Sequence, residues 1–331
     1  MGCGRATCGA HMIIIRPTAV PPNDLTDPDA VLIDSNVAAT DAGEGVWASG
    51  TTYAEGDIVS VLGQTQRRYE SLVNANTGND PTSSPTQWLD LGATNRWRMF
   101  DGGVDTATTN SDVIEVELGF DQYEIVNGLA LFNVLGARIL IDRYDEDDNL
   151  VYDAELAISI QLNESNWWEY FFGADNFGNP RRDLIDLQLP TTFGGRMVVR
   201  VERTGAVAEV GLLVVGRKQS LGTTVYGTTI GIEDFSTKER DTFGNFTIVE
   251  RRFINKAEYT IFVPTQNVAV LKRAIADRRA KPTVYVGADE ASAMLSGFLH
   301  EETIIYGFPR DFQVLLVDAR NSECLLEVEG L

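Results

Sequence analysis

Histidine is nearly missing from this sequence: among 331 residues there are two, His11 and His300. A Ser-His-Asp or Cys-His centre needs an imidazole to move its proton. His11 lies in the leader, so such a site would have to use His300, which stands in a turn-like stretch before Glu301 and Glu302. A solvated surface histidine is the expected role. Cysteine is almost as scarce, with Cys3 and Cys8 near the start and Cys324 alone in an apolar strand pattern. One strand thiol makes neither a disulfide framework nor a zinc site. Cys3, Cys8 and His11 could together hold a metal, but a disordered leader is the expectation. No apolar run approaches the roughly 20 residues that span a bilayer, so no membrane insertion is expected. There is no G-x-x-x-x-G-K-[ST] loop, and the glycines at 222, 227 and 231 lack the strand-to-helix setting of a dinucleotide site. Basic residues are in deficit, with 27 Lys and Arg against 48 Asp and Glu, a formal charge of −21. Such a surface repels phosphate backbones and excludes nucleic acid as the natural partner. No cofactor is expected.

What remains is the composition of a folded protein, 44% hydrophobic and 23% charged, in a chain long enough for two or three cores. Residues 1–11 hold no apolar stretch of the kind a secretory signal needs. They read as a cloning scar or a mis-called start ahead of Met12, which opens the run Ile13-Ile14-Ile15. Residues 12–45, punctuated by Pro17, Pro21, Pro22 and Pro28, read as an extended, poorly packed arm. Residues 46–92 are rich in Gly, Thr, Ser and aromatics. From 93 to 220 the chain alternates in the strand manner, with Ile114, Val116 and Leu118 on one side and Glu115 and Glu117 on the other. Short strand-like runs with turns between them make that stretch a jelly-roll-like β-sandwich. Residues 221–331 add one helix, with Thr265 as its cap, Val268, Leu271 and Ile275 as its apolar stripe, and Pro282 beyond its end.

The acidic stretch from Asp142 to Asn149 looks at first like a calcium loop. An EF-hand needs Gly at its sixth position and Glu at its twelfth, and counting from Asp145 gives Leu150 and Leu156. Flanked by strand-like runs, it reads as a solvated hairpin tip. Paired carboxylates for glycoside cleavage are available among 48 acids, yet no spacing singles out a pair.

Between residues 47 and 88 the chain reads W-A-S-G-T-T-Y-A-E-G-D-I-V, then R-Y-E-S-L, N-T-G-N-D-P and P-T-Q-W. This resembles the short carbohydrate-binding modules attached to chitinases, whose pattern runs Trp, Gly-Thr-x-Tyr, Gly-Asp-x-Val, Tyr, Pro and a closing Trp. The matching positions are Trp47, Gly50, Thr51, Tyr53, Gly56, Asp57, Val59, Tyr69, Pro81 and Trp88. The resemblance implies sugar contact, because flat aromatic rings stack on the apolar C–H faces of pyranoses. The candidates are Tyr69, Tyr53, Trp47 and Trp88. Tyr69 leads, since it follows Arg67 and Arg68 and so belongs in a solvated strand, whereas Trp47 and Trp88 bracket the module. The rival reading is structural: a domain below about 50 residues needs its aromatics to make any core. Both stay open on sequence alone.

Directly after this module comes G-A-T-N-R-W-R-M-F-D, residues 92–101. That is similar to a junction in phage tail and virion proteins, where such a module precedes a β-sandwich beginning N-R-W-x-M-F-D. Ser35-Asn36-Val37, the N-W-W-E-Y-F-F run at 166–172 and the terminal L-E-V-E-G-L fit the same arrangement. The resemblance implies a structural, non-enzymatic component of a bacteriophage tail, at the tip, baseplate or fibre base. It would reside in the virion as a homo-oligomer, touch other tail proteins through the arm and residues 221–331, and meet host-surface polysaccharide. Trp97, Phe100, Trp167 and Trp168 are expected in cores. The expected fold class is mainly β: a small carbohydrate-binding-like β module, a β-sandwich, and a small C-terminal α+β domain. The alternatives are a free glycan-binding protein or glycoside hydrolase accessory, which should carry a signal peptide, and a hydrolase in residues 93–331, which needs two carboxylates facing a cleft.

Overall fold

The computed structural model describes residues 11–23, 25–27, 30–157, 183–225, 228–240, 242–288, 303–318 and 320–331. His300, Cys3, Cys8, Trp167 and Trp168 lie outside the described residues. The protein is mainly β, and its chain divides into two compact units, Thr18–Val214 and residues 11–17 with Val215–Leu331. Among the described residues no helix is long and apolar enough to cross a membrane.

Thr18–Val214 contains an antiparallel β-sandwich. Its longest strand, Arg196–Thr224, pairs with Thr108–Gly119 on one side and Arg138–Tyr144 on the other, and Arg138–Tyr144 pairs in turn with Leu150–Ala157. Alternation does the sorting. Ile114, Val116 and Leu118 are buried, while Glu115 points outward, where Arg200 bonds both Glu115 at 2.8 Å and Asp142 at 2.6 Å. Half-exposed pairs like these contribute about 0–1 kcal/mol each, so the apolar face holds the sandwich together. The strand Arg196–Thr224 runs without a turn, and its pairing with Thr108–Gly119 slips between Arg203 and Val207.

The acidic stretch is a hairpin tip. Asp145 Oδ1 accepts the backbone N–H groups of Asn149 at 2.9 Å and Asp147 at 3.0 Å, and these bonds hold its carboxyl below the usual range. Nearby, the fully buried Arg143 donates to the carbonyls of Gly194 and Tyr144 and lies over the Phe120 ring. Burial lowers its pKa to about 10.

Two parts of the stretch read as an extended arm are paired strands. His11–Pro17 is a strand bonded on both sides, to residues 216–223 and to Thr283–Val286, and it buries Met12, Ile14 and Ile15. A strand flanked by neighbours and covered on both faces reads as a continuous apolar run, which is why Ile13-Ile14-Ile15 does not alternate. Further on, Leu32–Ser35 pairs with Thr108–Gly119, and the Asn36 amide bonds the backbone of Val113 and Glu115. Pro17, Pro21 and Pro22 lie at or after the end of the first strand, so their missing N–H groups break no ladder.

Residues 215–331 form more than a helix against an open sheet. The sheet runs from the end of Arg196–Thr224 through His11–Pro17, Thr283–Val286, Ile304–Leu316, Asn321–Gly330 and Phe253–Pro264. Thr223 and Thr224 then pair with Phe262 and Ile261, so six strands close on themselves as a small barrel. Closure demands tight approaches: a Cβ on Gly216 would stand 1.9 Å from the Arg16 carbonyl oxygen. The helix Val268–Ala276 adds Leu271 and Ile275 to the barrel core. Thr265 does not cap it. A 3-10 turn, Thr265–Asn267, intervenes, and the Thr265 hydroxyl meets Ser322 at 2.9 Å instead.

Cys324 lies in that core, fully buried, and burial pushes its thiol up to about 11. The thiolate is the reactive form, so native protein treated with iodoacetamide near pH 8 should show the Cys324 peptide unmodified by mass mapping. Denatured protein should be fully alkylated there. Native labelling would contradict a closed barrel.

Candidate functional site

The segment that carries the aromatic motif folds around two small sheets. Gly45–Val46, Ile58–Val61, Arg67–Ser71 and Trp88–Ala93 form the first; Thr52–Tyr53 and Asn76–Thr77 form the second. The motif's Gly-Asp pair makes the turn between them. Gly56 sits at φ 89°, a backbone conformation that favours glycine, and the Asp57 carboxylate accepts the Ala54 N–H at 2.7 Å. Val59 then points inward.

Tyr53, Val59, Tyr69 and Trp88 pack as one cluster, with Trp47 and Val61 partly buried against it. The Tyr53 and Trp88 rings meet edge to face at 5.3 Å. The Tyr53 hydroxyl accepts the Ala48 N–H at 2.8 Å, and the Trp88 indole donates to the Asn79 carbonyl at 3.0 Å. Each ring therefore has an inward apolar face and a satisfied polar edge. Pro81 is buried as well.

Tyr69, expected in a solvated strand, is only 6% exposed. The strand Arg67–Ser71 alternates, so Tyr69 and Ser71 turn inward between Arg68 and Glu70. Burial, with Asp90 close by, pushes its phenol up. The two arginines before it do mark a solvated edge: Arg67 pairs with Asp90 at 2.7 Å, and Arg68 reaches Asp41 at 2.8 Å and Glu44. Arg68, the adjacent residue, faces the opposite way, and the pairing with Trp88–Ala93 slips between Arg68 and Tyr69, so neither arginine is a guide to the ring's exposure. Of the four candidate aromatics, Trp47 alone is half-buried. It opens the loop that the Tyr53 hydroxyl holds, and the exposed hydroxyls of Thr52 and Thr77 stand 2.7 Å apart at that loop's end.

The N-R-W-x-M-F-D junction locks this module to the sandwich. It forms a 3-10 helix, Asn95–Phe100, that buries Asn95, Trp97 and Met99. The Asn95 amide donates to the Thr109 carbonyl at 2.7 Å and accepts its N–H at 2.9 Å. Thr108 donates to the Asn95 carbonyl at 2.7 Å and accepts the Met99 N–H at 3.0 Å. Arg98 bonds Asp41 at 2.5 Å, the same carboxylate that Arg68 contacts. The junction's residue types are those a clasp needs.

Among the described residues of the sandwich, two aromatics outside the motif stand open. Tyr123 is 81% exposed and Phe193 56%. Their loops are joined by the Ile125–Phe193 bridge and by the Gly194 N–H donating to the Glu124 carbonyl at 3.4 Å. Neither belongs to a motif; the available signal was an aromatic placed within a turn. Among the described residues no group of three or more His, Cys, Asp or Glu could hold a metal ion.

No family model matches the chain, and no curated protein matches it. Among solved structures it is similar to the lectin binding domain of lectinolysin, in complex with Lewis b, at 14% identity. It is also similar to a fucose binding module of Streptococcus pneumoniae at 16%, and to CBM32-3 from a family 31 glycoside hydrolase of Clostridium perfringens at 13%. The TM-score is 0.26 in all three cases. The matches cover 38%, 38% and 36% of this chain, and 83%, 85% and 81% of those chains. Likeness at this level carries no argument about ligand.

Proposed function

We propose that this protein is a non-catalytic structural component of a bacteriophage tail whose aromatic module touches glycan on the host surface through Trp47. The observation that carries the glycan contact is the division of labour among the motif aromatics. Tyr53, Tyr69 and Trp88 close the module's core, and Trp47 is only partly buried against it. A buried ring cannot stack on a pyranose; a half-buried one can, with its orientation fixed in advance and little entropy to lose.

Placement in a tail rests on the resemblance at residues 92–101, supported by the clasp those residues make between module and sandwich. An antibody against the chain should sediment with intact particles; its absence from purified particles would contradict the placement. For the glycan contact, Trp47→Ala should weaken retention on immobilised chitin or host polysaccharide by about 1–3 kcal/mol, the scale of one lost aromatic contact. The melting temperature should hold. A second contact is favoured by the open pair Tyr123 and Phe193. If retention survives Trp47→Ala but fails in Tyr123→Ala with Phe193→Ala, the sandwich is the glycan surface and the module is scaffold.

A further inference from the structure

Beyond the edge of the sheet of residues 215–331 the chain forms a largely exposed hairpin. Thr229–Asp234 pairs with Phe253–Pro264 as an edge strand, and Thr237–Arg240 pairs with Phe246–Val249 as a two-stranded ribbon beyond it. Every residue of Phe246–Val249 is exposed, as are all but one of Thr229–Asp234. The side chains are nonetheless apolar. Ile232, Phe246, Ile248 and Phe253 are each more than half exposed, and Phe243, in the turn at the tip, is 89% exposed. Contiguous exposed apolar patches of this kind mark interaction sites.

Ile232, Ile248 and Phe253 are gathered into one groove of about 340 Å³ where the edge strand meets the ribbon. Its rim holds two acids, Asp234 and Glu250, and two bases, Lys238 and Arg251. We infer that this hairpin is where two copies of the chain meet, packed antiparallel about a two-fold axis, with Phe243 of each copy entering the groove of the other.

Charge selects a second copy over a foreign partner. The whole chain carries −21, so two copies repel over most of their surface. Residues 229–253 hold four basic side chains against five acidic ones, so here the repulsion nearly vanishes. A rim with equal numbers of both signs complements its own two-fold image, whereas a partner recruited by an acidic protein's field would be basic and would find no acidic groove. Tip-to-base packing is self-matching: the contact made by one copy is made again by the other, and the interface closes as a dimer. The exposed apolar side chains offer on the order of 800 Å² per copy, about what a standard interface buries.

Sedimentation velocity of the full chain across a wide concentration range tests this. Wild type should be a dimer, and Phe243→Ser and Ile248→Glu should each raise the dimer dissociation constant at least about tenfold, the scale of one central apolar contact. Both sites are exposed, so melting temperatures should not fall. Val270→Glu, at an exposed apolar position on the helix, should leave the dimer intact. A monomeric wild type overturns the inference and leaves the hairpin to a different partner; so does a dimer that tolerates both hairpin substitutions.

Discussion

Deleting residues 12–17 should leave residues 215–331 unfolded. That segment supplies a barrel strand bonded to both neighbours, and three side chains, Met12, Ile14 and Ile15, with no exposed surface. Burying one large aliphatic side chain stabilises by roughly 1.5–3 kcal/mol, and whole domains are stable by only about 5–15 kcal/mol. Losing three such side chains and both ladders at once exceeds what a barrel of this size can absorb. Limited proteolysis or hydrogen exchange of the truncated chain should show residues 215–331 labile. Ile14→Asp, one unpaired carboxylate in the barrel core, should destabilise the same residues without deleting anything. A protease-resistant barrel lacking residues 12–17 would contradict the assignment of that strand.

The second large effect is in the module. Trp88→Ala removes a ring that is 2% exposed, its edge-to-face contact with Tyr53 and its bond to the Asn79 carbonyl. Truncating a buried aromatic costs about 3–5 kcal/mol, and a four-residue cluster cannot repack around the hole. Tyr69→Ala belongs with it: the variant should lower the module's melting temperature by many degrees rather than selectively weaken glycan retention. Tyr69→Phe should be nearly neutral, since burial of the ring is what matters. If Tyr69→Ala melts normally yet loses retention, the ring is a surface contact after all and the packing described here is wrong.

The sandwich was legible in the sequence because half-buried antiparallel strands advertise themselves: Ile114, Val116 and Leu118 alternate with two glutamates, and the structure buries the first three. The turn made by Gly56 and Asp57 was legible as a motif, though not as a turn. The first strand was not legible. Prolines at 17, 21, 22 and 28 suggested an arm, and nothing local reveals that Ile13-Ile14-Ile15 pairs with residues some 200 positions away. Barrel closure, which depends on two residue pairs at Thr223 and Thr224, is just as non-local. Tyr69 was misplaced for a related reason: two arginines describe the strand's surroundings, but alternation decides which way the ring turns. Trp47 was present in the motif from the outset, and only packing separates it from Trp88.

The most direct test of the account is retention of the full chain on chitin and on host-surface polysaccharide, wild type beside Trp47→Ala, with melting temperatures measured on the same samples. Wild type should be retained, and Trp47→Ala should bind about 5- to 150-fold more weakly, which is 1–3 kcal/mol, while melting at the wild-type temperature. Equal retention of the two proteins, or no retention of wild type, would contradict the account.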